Sequence, residues 1–231
     1  MIKPSTSSGN YTFIDTQQGL NQLAKRLLNT DVIALDTEFH GEKRYYPELF
    51  LIQIADKNRM FLIDPLAVDI APLAGVINAK TPIKVIHSAT HDVEILSRVL
   101  KTDFNSVFDT QLAAAFLGYG HQPSLLKLID DICGEYHAKG FTLSDWSARP
   151  LSEKQIDYAL DDIKHLLYIY SHLSSSLKEK KRLGWYEKEF AERLNTSAPG
   201  QSLERTFRKV RSSGKIKKHS FPVLWALVKW R

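Results

Sequence analysis

Asp36 and Glu38 are the residues of this chain whose type and spacing point most directly to chemistry. They close the apolar run Val32-Ile33-Ala34-Leu35, which reads as a buried β-strand. Residues i and i+2 of a strand project from one face, so the two carboxylates emerge side by side where the strand ends. Like charges that close repel, and one is expected to hold a proton unless a cation lies between them. A divalent metal with oxygen ligands is the simplest remedy. The opposing reading is a strand end carrying ordinary turn or capping acids, and Asp-x-Glu alone does not choose between the two.

Two further places in the chain offer acids for the same metal. Asp92 follows the apolar run Ile83-Lys84-Val85-Ile86-His87 and falls in the first turn of an expected helix over 90–100. Acids favour that position through the helix dipole alone, so its place fits either reading. His91 beside it is a second candidate, although a hard oxygen site does not require an imidazole. Tyr158 and Asp162 are four apart in an expected long helix and share one face. Asp161 is rotated from Asp162 by about 100° and should face elsewhere. The ordinary reading here is a partly buried Tyr158 and a solvated Asp162. Asp36, Glu38, Asp92 and Asp162 together would hold two divalent cations, an arrangement suited to in-line phosphoryl chemistry. Tyr158, a phenol with an ordinary pKa of about 10, would orient a water and not take its proton.

These residues need a scaffold. Leu20, Leu23, Ala24, Leu27 and Leu28 recur at helical spacing within 16–29. Strands are expected over 31–36, 48–55, 59–64 and 83–87, with a short element at 106–109 before a helix at 110–117. A helix beginning at Pro123-Ser124 should end at Gly134. Ser152 and Gln155 form a capping box that opens a long helix to about Leu177, and Leu183 to Leu194 reads as another. Residues 1–13 are polar and expected to fray. Consecutive strands followed by helices argue for an α/β fold, a mixed central sheet flanked by helices. No glycine-rich phosphate loop is present.

Charge divides the chain unevenly. Residues 201–231 carry nine Lys and Arg against one acid, so the overall +5 becomes −3 over residues 1–200. An acidic body with a basic tail suggests a polyanionic partner, against the plainer reading of a solvated tail. The single cysteine, Cys133, excludes an internal disulfide and a thiolate zinc site, and a reducing cytoplasm fits. No apolar run approaches the roughly 18 residues that span a membrane.

Several long segments, in order, resemble the ribonuclease D family, within the tyrosine branch of the Asp-Glu-Asp-Asp 3′–5′ exonuclease superfamily. They are Ala34-Leu35-Asp36-Thr37-Glu38-Phe39 with Tyr45 to Ile54, His87 to Leu96, Phe108-Asp109-Thr110-Gln111-Leu112-Ala113, Ser144 to Leu151, and Tyr158-Ala159-Leu160-Asp161-Asp162. The resemblance implies an RNase-H-like exonuclease fold over residues 1–195. It implies two divalent cations, Mg²⁺ or Mn²⁺, held by Asp36, Glu38, Asp92 and Asp162, with Tyr158 positioning the water. Asp109 falls outside the ligand pattern and is expected to cap the helix at 110. The backbone around Thr37 and Phe39 would hold the terminal nucleotide, with Phe39 as a stacking surface, and Arg149 and Lys139 would reach phosphates. The implied activity is release of nucleoside 5′-monophosphates from RNA 3′ ends, including tRNA and other structured RNA, by a cytoplasmic monomer. A DNA exonuclease, a non-catalytic nucleic-acid-binding module on the same fold, and a scaffold docking through its basic tail are the alternatives. Residues 196–231 read as a linker and the opening of a helical HRDC-like domain.

Overall fold

Strand β3 (Glu48–Ala55) is buried at every residue after Glu48, as befits a strand covered on both faces. It lies near the middle of a six-stranded sheet of order β1-β4-β3-β2-β5-β6. The others are β1 (Tyr11–Ile14), β2 (Val32–His40), β4 (Met60–Ile63), β5 (Ile83–Ile86) and β6 (Val107–Asp109). β2, β3 and β4 pair antiparallel, β1 joins β4 in parallel, and β5 and β6 run parallel to β2. The expected mixed sheet is thus the one found. The computed structural model describes residues 11–40, 46–135, 145–197, 207 and 216–230. The chain divides into two units, Met1–Tyr186 and Glu187–Arg231, and the sheet belongs to the first.

The helices of the first unit are α1 (Gln17–Leu27), α2 (Leu73–Asn78), α3 (Thr90–Leu100), α4 (Thr110–Leu117), α5 (Leu125–Leu128), α6 (Glu153–Lys164) and α7 (Leu166–Glu179). α5 continues through one wide turn, Ile129–Cys133, to Gly134 at φ 70°, a left-handed cap that glycine adopts without steric cost. Ser152 and Gln155 cap α6 reciprocally, as their spacing suggests. Ala159, Leu160 and Ile163 bury one face of α6, which packs across β2, β3 and β4. Phe50, Leu51 and Leu62 of the sheet meet Ala159, Leu160 and Trp146 in one apolar cluster.

Two expectations need correction. Of the stretch expected to fray, residues 1–10 lie outside the described residues, and residues 11–14 form a strand on β4; four residues carry too little period to be read. The short helix α2 lies outside the expected elements, for the same reason of length. The long helix expected from Ser152 to Leu177 is two helices that break at His165. No proline or glycine marks the break. α6 docks on β2 to β4, whereas α7 turns to β2, β5 and α4, so tertiary packing and not local sequence sets the corner. The chain beyond Glu187 contains the rest of the helix Leu183–Ser197 and a helix Phe221–Trp230. There Phe207 packs edge-on against Phe221 and Trp225.

Candidate active site

β2 outruns its neighbour. It pairs β5 only over Val32–Ala34, so Asp36 and Glu38 lie on a stretch held by β3 alone. A register shift at Glu38/Phe39 marks a bulge, a device that re-aims side chains at a strand end. Asp162 of α6 arrives over the same face. Ligand oxygens of Asp36, Glu38 and Asp162 all lie within 4.8 Å of one another. Carboxylate oxygens alone suit a hard divalent cation, so this donor set fits Mg²⁺ or Mn²⁺.

Asp92 stands beside this trio and not within it. Thr37, on the other side of β2, donates from its hydroxyl to Asp92 Oδ1 at 2.6 Å. Asp92 enters from the first turn of α3, which is itself pinned. The turn before α3 places Ser88 at φ 61°, and the backbone N–H groups of Ser88 and Ala89 donate to the two oxygens of Asp109. Asp109 also accepts from Gln111 and Leu112, so it caps α4 as expected and braces the Asp92 turn as well. Its own backbone N–H donates to the hydroxyl of Tyr186 at 2.8 Å.

The protonation of the site follows from burial and crowding. Burial first, then the charges of Asp92, Asp162 and Glu38, push the Asp36 carboxyl well above the usual carboxylate range. Burial and the charges of Asp162 and Asp92 raise Glu38 to about 8. Asp162 is raised to about 7, mainly by burial, against the lowering effect of a hydrogen bond from Tyr158. Asp92 reaches about 6, raised by burial and restrained by the Thr37 hydroxyl. Burial and the surrounding carboxylates hold the Tyr158 phenol far above its ordinary value. Four buried acids that resist ionisation together form a donor set whose protons divalent cations would displace.

The remaining expected residues fare differently. Tyr158 is half-buried, its ring tilted against Trp146 with centroids 6.1 Å apart, and its hydroxyl reaches Asp162 on the shared face. Asp161 is exposed, as its rotation requires. Phe39 is half-buried and lies 6.2 Å from the His91 ring, which is itself exposed at the site's rim. Lys139 lies outside the described residues. Arg149 is not a free phosphate contact. Its guanidinium donates to both oxygens of Asp64 at 2.6 and 2.8 Å, and to the carbonyls of Phe50, Trp146 and Ala148 at 2.7, 2.8 and 2.8 Å. Those bonds use all five N–H donors of an arginine. Arg149 therefore ties the 145–151 segment to the sheet. Burial alone would raise the Asp64 carboxyl, but Arg149 holds it below the usual range. Sequence reasoning overlooked this strut, the Thr37 hydroxyl and the brace built by Asp109. Only Asp64, an acid directly after an apolar strand, gave a readable hint of the first.

A mixed sheet whose central strand ends in clustered carboxylates, with a helix supplying another, defines a metal-binding α/β fold of the exonuclease class. The chain belongs to the 3′–5′ exonuclease family, whose profile matches residues 11–178. It is 31% identical over 222 residues to the ribonuclease D of a Shewanella species, covering 96% of this chain and 57% of that protein. The crystal structure of Escherichia coli RNase D, described as an exoribonuclease involved in structured RNA processing, superposes with a TM-score of 0.86 at 29% identity. That match covers 96% of this chain and 59% of the other. The catalytic core of Rrp6 from Trypanosoma brucei gives a TM-score of 0.76 at 29% identity, over 100% of this chain and 66% of its own. The chain thus spans under two thirds of the length of the ribonuclease D proteins it matches.

Proposed function

We propose that the protein is a ribonuclease D-like, metal-dependent 3′–5′ exoribonuclease. The observation that carries this reading is the convergence of Asp36, Glu38 and Asp162 oxygens within 4.8 Å, with Tyr158 on the same helix face as Asp162. Asp36, Glu38, Asp92 and Asp162 are the residues that would hold two divalent cations, Mg²⁺ or Mn²⁺. With such ions held there, the site would supply activation of a water, screening of the phosphate charge and stabilisation of the leaving 3′-oxygen. Their binding displaces the protons that the crowded carboxylates otherwise keep. Thr37 keeps Asp92 turned toward the trio through its hydroxyl. Tyr158 keeps its proton and donates a hydrogen bond from its hydroxyl to Asp162, which leaves its oxygen lone pairs to orient the attacking water. It acts by position and not as a base.

The RNA 3′ end enters past Phe39, whose half-exposed ring offers a stacking surface to the terminal base. The backbone around Thr37 and Phe39 holds that nucleotide. Structured RNAs such as tRNA precursors are the substrate class that the ribonuclease D resemblance favours. The basic stretch, which includes Lys217, Lys218 and Lys229 among the described residues, adds sequence-independent attraction to the phosphate backbone. Digestion of matched 3′-tailed RNA and DNA with Mg²⁺, Mn²⁺ or chelator tests the reading. RNA should be shortened from its 3′ end to mononucleotides, only with metal. Faster loss of the DNA would reassign the enzyme as a DNA exonuclease.

A further inference from the structure

Gln53 is the only polar residue between Leu49 and Ala55 of β3, and it is 0% exposed. It stands directly opposite Asp36 on β2 and opposite Leu62 on β4. Directly opposed residues share one face of the sheet and bring their Cβ atoms to about 5 Å. Gln53 therefore sits beside Asp36 on the face that α6 covers. Its same-face neighbours Leu51 and Leu62 pack against Ala159 and Leu160, which offer an amide nothing to bond. Neither Oε1 nor Nε2 of Gln53 has a hydrogen-bond partner among the described residues.

An unpaired buried amide destabilises a fold, and an apolar side chain of the same length would fill the space without that cost. The placement thus calls for a partner, and the described residues supply none in this arrangement. A primary amide offers two N–H donors, and the adjacent group able to accept one is the Asp36 carboxylate. We propose that Gln53 is a positioning residue that orients the Asp36 carboxylate toward bound cations by donating from Nε2 to the oxygen turned away from them. Groups that hold a metal ligand in this way commonly change metal affinity about 10–100-fold when lost. The proposal rests on the metal-site reading above.

Titration of the full chain with Mn²⁺, followed by calorimetry and by the electron paramagnetic resonance of free Mn²⁺, tests it. Gln53→Met keeps length and volume and removes the amide, and Gln53→Leu repeats the change with another shape. The expected result is Mn²⁺ binding weakened about 10–100-fold with no fall in the melting temperature of the metal-free protein. Unchanged Mn²⁺ affinity in either variant that folds overturns the proposal. So does weakened binding that comes with a lower metal-free melting temperature in both, which would make Gln53 a packing residue. Asp36→Ala in the same titration separates the two readings. If it loses Mn²⁺ while Gln53→Met binds like the parent, only the role of Gln53 fails. If Asp36→Ala itself binds like the parent, the metal site fails.

Discussion

Raising the pH of the metal-free protein from 6.5 to 8 should destabilise it, the reverse of ordinary carboxylate behaviour. An unperturbed glutamate ionises near 4.5, whereas Glu38 in the fold does so at about 8 and Asp162 at about 7, not the usual 3.8. Between the two limits the unfolded chain has released protons that the folded chain still holds. Stability then falls as pH rises, by about 1.4 kcal/mol per pH unit for each extra proton. The contribution is complete below the ordinary carboxylate range and is gone once the pH passes 8. Because the acids titrate as a group, we count a single proton. That gives about 2 kcal/mol across the window, or about 4–8 °C in melting temperature for a chain of this size. The buried bases His87 and Lys84 act outside the window. Burial lowers His87 from 6.5, and its effect ends by that pH. Burial lowers Lys84 to about 8, so it begins to act, with the opposite sign, only above that value. Thermal melts in chelator at steps from pH 6.5 to 8 provide the assay. Saturating Mn²⁺ should abolish or reverse the slope, since the cation replaces the protons. Glu38→Gln should flatten it in chelator. Metal-free stability that stays level or rises with pH across this range would refute the crowded-carboxylate account.

Three further outcomes are expected. Arg149→Ala should cost about 3–5 kcal/mol in urea unfolding, because it leaves the buried Asp64 carboxylate without its cation and removes the bonds to three carbonyls; weaker RNA binding at unchanged stability would return Arg149 to the phosphate role. Tyr158→Phe should slow turnover about 100-fold or more while Mn²⁺ affinity on calorimetry is kept, and loss of metal would make the tyrosine structural. Asp109→Ala frees four backbone N–H groups and should destabilise the protein by about 2–4 kcal/mol in urea, with weaker Mn²⁺ binding through Asp92; a neutral result would remove it from the brace.

The legible parts of this chain were those where one local period or one chemical spacing carries the information. Asp36 and Glu38 two apart on a strand, and Tyr158 and Asp162 four apart on a helix, are backbone periodicities that survive in any tertiary setting. The capping roles of Ser152, Gln155 and Asp109 are equally local. What stayed hidden depends on which distant segments meet. The break at His165 follows from α6 and α7 docking on different parts of the sheet. The bond from Arg149 to Asp64 joins residues 85 apart, which no local spacing reveals. Gln53 drew no notice in an apolar run, and only the β2–β3 register places it beside Asp36.

The central claim is that Asp36, Glu38, Asp92 and Asp162 hold the cations that drive hydrolysis from an RNA 3′ end. A 5′-labelled, 3′-tailed RNA incubated with the parent protein and with Asp36→Ala, in Mn²⁺ and in chelator, tests it most directly. The parent in Mn²⁺ should give a ladder that shortens one nucleotide at a time with release of nucleoside 5′-monophosphates. Chelator, Asp36→Ala, or a 3′-phosphate block should each stop it. Undiminished shortening by Asp36→Ala, or internal cuts in the blocked RNA, would contradict the account.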